Sequence, residues 1–275
     1  MTDLIRSEWI KFRSVRSTLV TLVLAGALVV LVALLQANEA NSSDATTTRC
    51  ETVAQAQEGT TVQSRPDPTC GEGSLLVTRP EPADLSKLVG GVSLAALLFG
   101  VLGVQVIGQE YRFSTIRPTF TAAPRRLRVL VAKLVVVTSA CAVVAAAMVA
   151  LCWVVGTVMV DSFSVDGVDR RIAWGIVVFT VLWTTAGMGL GAIVRQPIAA
   201  IMILAGYSLV AENLLAAIVD GTGRWLPFLN GFQMTQRDPG GQLDLRPVLE
   251  GGLYFAGACL LVWAIGAALV ERRDA

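Results

Sequence analysis

The chain has no histidine and few charged residues, and both shortages exclude classes of function. Among its 275 residues 16% are charged, whereas a soluble domain has roughly 25% charged residues. Without histidine, HExxH metalloprotease sites and histidine-dependent catalytic triads cannot form. The G-x-x-x-x-G-K-[ST] pattern is also missing, so the chain has no Walker motif with which to bind ATP. We therefore expect no catalytic residues, no metal site and no cofactor bound by this chain.

Apolar residues make up 54% of the chain and fall into six long blocks. A helix needs about 20 predominantly apolar residues to cross the hydrocarbon core of a bilayer. The backbone cannot be left unpaired there, so such blocks form helices. The pattern predicts an all-α integral membrane protein with six transmembrane helices, at residues 18–36, 86–108, 129–159, 172–194, 198–219 and 248–270. The first block is expected to be a retained span, because no clean cleavage site follows it.

Lysine and arginine divide unequally between the two sides of this topology. Thirteen of the 22 lie on the side of the N-terminus, and nine lie on the other side, where acidic residues outnumber them. The positive-inside rule therefore places both termini in the cytoplasm. Residues 37–85 and 220–247 are then extracytoplasmic, and residues 109–128 are cytoplasmic.

Two cysteines lie in the polar segment 37–85, on the oxidising side of the membrane. A disulfide between Cys50 and Cys70 would close a loop of about 20 residues and stabilise it by roughly 3 kcal/mol. The alternative is two free thiols in a disordered loop. The other cysteines lie within spans and are expected to act as small apolar residues.

The N-terminal residues 1–17 have the pattern of a helix that lies in the membrane interface. Ile5, Trp9 and Phe12 fall on one helical stripe, with basic residues beside it. This composition is typical of an interfacial helix. The alternative is a simple positively charged anchor for the first span.

The segment after span two can form a short cytoplasmic helix. Ser114 or Thr115 can cap its N-terminus, Pro118 fits only in its first turn, and Pro124 ends it. Such a helix would present Thr115 and Arg117 to the cytosol as a docking surface.

Two motifs resemble those of bacterial type-two ABC permeases. Residues 7–18 read SEWIKFRSVRST and resemble the S-E-W-x-K-x-R-S-x-R-S-T start of that family. Residues 110–126 begin with EYR and end with PRR, which resembles the family's E-Y-R-x-G-T-I-R…P-R-R motif. Ser114 stands where the family often has glycine, and Pro118 interrupts the pattern. The family's six-span layout, with both termini inside, matches the whole chain.

The resemblance implies a non-catalytic permease subunit of an ABC exporter in a bacterial cell membrane. A coupling helix between spans two and three would contact a cytosolic ATPase that binds ATP and Mg²⁺, and a second permease copy or paralogue would complete the path. The family also has a re-entrant hairpin before its last span, in the position of residues 220–247. The residues expected to contact the ATPase are Glu110, Tyr111, Arg112, Thr115, Arg117, Arg125 and Arg126.

Two of these expectations include a charge argument. Glu110 is close enough in sequence to Arg112 and Arg117 for these opposite charges to hold the coupling helix against the exit of span two. For Arg125 and Arg126, an equal alternative is contact with lipid phosphates as topology determinants.

Glu212 is an acidic residue within the fifth apolar block. It lies about 14 residues into that helix, or roughly 21 Å from its cytoplasmic end at 1.5 Å per residue. Burying a carboxylate there is unfavourable, so it should face the bundle interior, the dimer axis or a wet cavity. Three roles are open: a place on the transport path together with Asn213, a structural hydrogen bond with neighbours such as Asn213, or snorkelling to the outer surface.

Two other classes of function share this topology. A non-transporting immunity or signalling protein could have the same six spans and work without an ATPase. A membrane-embedded enzyme would need convergent polar residues within the spans, and these are few. The lipid bilayer is an expected partner and nucleic acid is not. The sequence does not indicate the substrate.

The unequal distribution of basic residues generates a topology prediction. Single cysteines at Ser14 and Gly59, in a background without the native cysteines, should react with a membrane-impermeant maleimide from the inside and the outside of cells respectively. Labelling of position 14 from outside intact cells would show that the chain has the opposite orientation.

Overall fold

The computed structural model describes residues 2–42, 46–52, 63–65, 74–80, 83–112, 126–160, 163–237 and 244–273. Within these residues, six helices are long and apolar enough to cross a membrane. The prediction of a predominantly helical, multi-pass membrane protein is confirmed at this level. The spans, numbered in chain order, are Arg16–Ser42, Gly90–Arg112, Arg126–Met159, Gly167–Val194, Pro197–Ile218 and Val248–Arg273.

Several span boundaries differ from the predicted ones for local reasons. Span one continues to Ser42, past the predicted end at residue 36. Span two begins at Gly90 because residues 85–88 form a separate short helix. Span four begins at Gly167 instead of residue 172, because Asp166 and Asp169 form a reciprocal capping box that starts the helix outside its apolar block.

A separate helix, Thr2–Ser14, precedes span one and packs against the start of span three. Its Glu8 is buried, whereas Trp9 and Ile10 are exposed. We call the end of the bundle that carries this N-terminal helix the near end, and the opposite end the far end. Spans two and four both end at the near end, and the turn from span four to span five lies there too.

Spans two and four form the centre of the bundle and approach each other through glycines. They are the two most buried spans. A methyl group at Gly103 would overlap the carbonyl oxygen of Thr184, and one at Gly187 would overlap that of Gly100. Larger side chains would therefore separate the two backbones. The two spans thus pack through small residues, as is common for membrane helices.

Span five lies at the edge of the bundle and contains a π-helical turn. Arg195, in the left-handed conformation with φ of 60°, ends span four, and Pro197 begins span five, one residue before the predicted start. The helix changes to π geometry over Gly206–Ala211 and returns to α geometry at Glu212. Span five is the least buried of the six spans that the described residues contain.

The polar segment after span one contains short strands that the sequence pattern did not indicate. Strands Thr46–Thr52, Gln63–Arg65 and Ser74–Pro80 form an antiparallel sheet with the third strand in the centre. Cys50 lies opposite Leu76 in this sheet. Cys70 lies outside the described residues, so the Cys50–Cys70 disulfide stays a prediction.

Three short helical turns fill the far end of the bundle before span six. We call them together the inserted segment, Gly223–Thr235; its turns are Gly223–Trp225, Pro227–Phe232 and Gln233–Thr235. Two of its phenylalanines join a cluster of stacked and edge-to-face rings with spans four and six. The rings of this cluster are those of Phe179, Trp183, Phe228, Phe232 and Phe255. Aromatic packing thus holds the inserted segment among the spans.

Candidate functional site

A buried ionic network joins three elements at the near end. The ammonium of Lys133, early in span three, donates to Oε1 of Glu110 at 2.8 Å and to Oε2 of Glu8. Glu110 lies near the end of span two, and Glu8 lies on the N-terminal helix. Lys11 adds a hydrogen bond to the other oxygen of Glu8 at 3.0 Å. Two carboxylates and two ammonium groups thus form a network that is balanced in charge.

Burial makes this network a strong structural constraint. Glu8 and Lys133 are only 3% and 4% exposed. A charge held away from water is tolerated only where an opposite charge and hydrogen bonds compensate for its lost hydration. The N-terminal helix therefore cannot leave span three without removing one of the two carboxylate partners of buried Lys133. The same lysine fixes the end of span two.

The surroundings of Glu8 lower its pKa and so favour the ionised carboxylate. Burial alone raises the pKa of this carboxyl, but attraction and hydrogen bonds from Lys133 and Lys11 outweigh burial and hold it below its ordinary value. A lowered pKa in the folded protein adds stability above the unfolded pKa. That stability is lost only as the pH falls through the lowered value, in the acid range.

A second contact holds the end of span two from the other side. The guanidinium carbon of Arg195 lies 5.0 Å from the centre of the Tyr111 ring, which is the spacing of a cation–π contact. Arg195 is the left-handed residue in the turn between spans four and five. The last residues of span two thus contact span three and the turn after span four directly, and they are linked to the N-terminal helix through Lys133.

The structure gives Glu110 a partner that the charge argument did not include. Its carboxylate forms an ion pair with Lys133, 23 residues further along the chain. Arg112 is exposed at the end of span two, and Arg126 begins span three. Three further predicted contacts lie outside the described residues: Thr115, Arg117 and Arg125.

Lys133 was counted in the sequence only as a topology determinant, although a signal for its role was present. It is a single charge within the third apolar block, at residues 129–159. An isolated charge in such a block indicates an internal partner.

Glu212 is the second buried charge of interest, and it lies toward the far end. It is fully buried. Its Oε1 accepts from the backbone N–H of Phe228 at 3.0 Å, and its Oε2 accepts from that of Leu229 at 2.8 Å. Both donors are first-turn amides of the short helix Pro227–Phe232, which have no partner within that helix. The carboxylate of span five therefore caps the inserted segment.

Asn213 is not the hydrogen-bond partner that the sequence suggested for Glu212. Its amide donates to the carbonyls of Ser208 and Leu209 within its own helix, at 3.1 and 3.2 Å. Of the three roles left open for Glu212, snorkelling is wrong, because the side chain points inward and is buried. A structural hydrogen bond is present, but with main-chain donors far along the chain.

A third charged group closes the far end between span four and the short helix that precedes span two. Buried Asp169 accepts from the backbone N–H of Ser86 at 3.1 Å and from Arg237 at 3.3 Å. Arg237 also pairs with Asp166 at 2.6 Å. Beside this cluster is an open cavity of about 300 Å³; its lining residues are Ser86, Gly90, Ser93, Leu94, Phe232, Thr235, Gln236 and Arg237. One wall of the cavity is therefore built from the inserted segment and the residues that follow it.

Neither clustered metal ligands nor similarity to known proteins assigns a function to this chain. In the part of the chain that the structure describes, no group of three or more Cys, Asp or Glu side chains is placed to hold a metal ion. No protein-family model, curated protein or solved structure matches the chain.

The near-end network generates a stability prediction. Lys133→Met leaves Glu110 without its cation and Glu8 with only the exposed Lys11 as a partner, so we expect the free energy of unfolding to fall by about 3–5 kcal/mol. Lys11→Met removes the exposed member of the network and should cost at most about 1 kcal/mol. Unfolding of the purified protein in detergent measures both.

A rescue variant separates charge burial from lost packing. Adding Glu8→Gln and Glu110→Gln to Lys133→Met should restore part of the lost stability, because the only charge of the network that then remains is that of exposed Lys11. Equal stability of the Lys133→Met and Lys11→Met proteins would show that the network is not a buried constraint.

Proposed function

We propose that this chain is the membrane-spanning permease subunit of an ABC exporter. The observation that supports the proposal most strongly is the fixed end of span two, where Glu110 and Tyr111 are each held by a neighbouring element. These two residues open the motif that resembles the coupling segment of type-two ABC permeases. The other support is the set of six spans with a separate N-terminal helix.

The mechanism requires that force enters the bundle through a rigid element. A loosely held segment would absorb the motion of a partner, whereas a fixed one transmits it to whatever it contacts. In this proposal a cytosolic ATPase binds ATP and Mg²⁺, closes, and pushes on residues 109–128. The contacts of Lys133 and Arg195 then carry the displacement to span three, the N-terminal helix and the hairpin of spans four and five.

The proposal fixes the orientation and the environment of each end. The near end faces the cytoplasm of a bacterial cell, as the distribution of basic residues favours. The N-terminal helix lies in the inner interface, with exposed Trp9 and Ile10 toward lipid. The inserted segment is a re-entrant hairpin at the outer surface, since it is buried and too short to cross. A second permease, identical or paralogous, completes the path.

Charge changes in the coupling segment test this function. Glu110→Ala, and separately the double variant Thr115→Asp with Arg117→Glu, should leave the protein inserted and dimeric. Each should weaken ATPase binding or the coupling of hydrolysis to transport by roughly 2- to 30-fold, the range expected for changes along a coupling route. Co-purification of a Walker-motif ATPase and ATP-dependent transport in reconstituted vesicles are the measurements.

Matched changes at the opposite end serve as controls. Glu250→Ala removes an exposed carboxylate at the start of span six, and reversal of Arg49 and Arg65 changes charge in the polar segment. These variants should bind the ATPase and transport as the wild type does. If both coupling-segment variants also behave as wild type, the partner docks elsewhere or is absent. A non-transporting immunity or signalling protein then becomes the better account.

A further inference from the structure

The far half of span five has a specific polar attachment to the rest of the bundle. This half, Glu212–Ile218, packs chiefly against the short helix Pro227–Phe232 of the inserted segment. Most of its other side chains are exposed, including Leu214 and Ile218. The two hydrogen bonds from Glu212 to the inserted segment are thus the main polar attachment between these two elements.

The π turn of span five directs Glu212 at the inserted segment. The backbone N–H of Glu212 donates to the carbonyl of Tyr207, five residues earlier, instead of four. One extra residue in a helical turn rotates everything after it by about 100° relative to an unbroken α-helix. Asn213 donates to two carbonyls of the turn and so supports this geometry. Without the π turn, Glu212 would point away from its two donors.

The inserted segment is internally cross-linked, so its three turns are held together as one unit. The buried amide of Asn230 donates to the carbonyls of Gly223 and Leu226, at 2.7 and 2.8 Å. Its oxygen accepts from the backbone N–H of Arg246, just before span six, at 3.0 Å. The segment is therefore joined to the start of span six through its own residues, and to span five through Glu212.

We propose that Glu212 is a positioning residue that holds the inserted segment closed as a lid over the far-end cavity. The segment turns about its connection to span six, and release of the two Glu212 hydrogen bonds lets it move and widen the cavity, one wall of which it forms. This proposal rests on the proposed function, because it assigns the lid to the outer mouth of the export path.

Labelling of a buried reporter cysteine tests the lid directly. Thr235 lies in the inserted segment, lines the cavity and is 4% exposed. In a background without the five native cysteines, Thr235→Cys should react slowly with an impermeant maleimide. Glu212→Leu removes both hydrogen bonds to a charged acceptor and should raise the labelling rate tenfold or more. Glu212→Gln and Glu212→Asp should give intermediate rates.

The control variant is Asp220→Asn, which removes an exposed acidic charge just beyond span five without touching the inserted segment. Its labelling rate should equal that of the parent. If Glu212→Leu does not fold, the Gln and Asp variants still report on the hydrogen bonds. A parental labelling rate in all folded Glu212 variants would overturn the proposal.

A nucleotide arm distinguishes a moving lid from a fixed structural cap. With the partner ATPase present, ATP should raise Thr235→Cys labelling in the parent and have little further effect in Glu212→Leu. If the labelling rate does not change with ATP in preparations that transport substrate, the lid proposal is wrong and the exporter proposal stands. If the Glu212 variants change the labelling rate but the protein has no ATPase partner, Glu212 remains the contact that closes the segment, and the proposed exporter function is wrong.

Discussion

A charged group buried away from water needs an opposite charge or hydrogen bonds from the protein itself, because the hydrocarbon core of a membrane supplies neither. Among the described residues, four buried charged side chains obey this constraint: Glu8, Lys133, Asp169 and Glu212. They form three junctions. Lys133 and Glu8 join the near ends of spans two and three to the N-terminal helix, Asp169 joins span four to the short helix before span two, and Glu212 joins span five to the inserted segment.

The apolar surfaces of the spans between these junctions pack together but do not specify which helices meet. Lipid tails are as apolar as the helix surfaces, so helix association depends on close backbone approach and on polar contacts. Glycines provide the close approach between spans two and four. Span five lacks such a central position and is mostly exposed. A stiff centre with one peripheral helix, attached through Arg195 at one end and Glu212 at the other, suits a bundle that changes shape.

The sequence predicted the membrane spans well and the partners of the buried charged side chains poorly, for identifiable reasons. The six apolar blocks predict six spans because hydropathy acts locally. The pairing of Glu110 with Lys133 depends on which faces of two helices meet, and sequence distance favoured Arg112 instead. The partners of Glu212 are backbone amides, which every residue carries, so no residue pattern could point to them. By contrast, the spacing of Asp166 and Asp169 is a capping pattern that was readable in the sequence.

The central claim is that an ATPase pushes on the end of span two, and site-specific crosslinking measures this most directly. A photoreactive residue in place of exposed Arg112 should, on illumination of intact cells, form an adduct with a cytosolic protein that mass spectrometry identifies as a Walker-motif ATPase. The same probe in place of Glu250, at the far end, should form no such adduct. Absence of an ATPase adduct from position 112, or its appearance from position 250, would contradict the account.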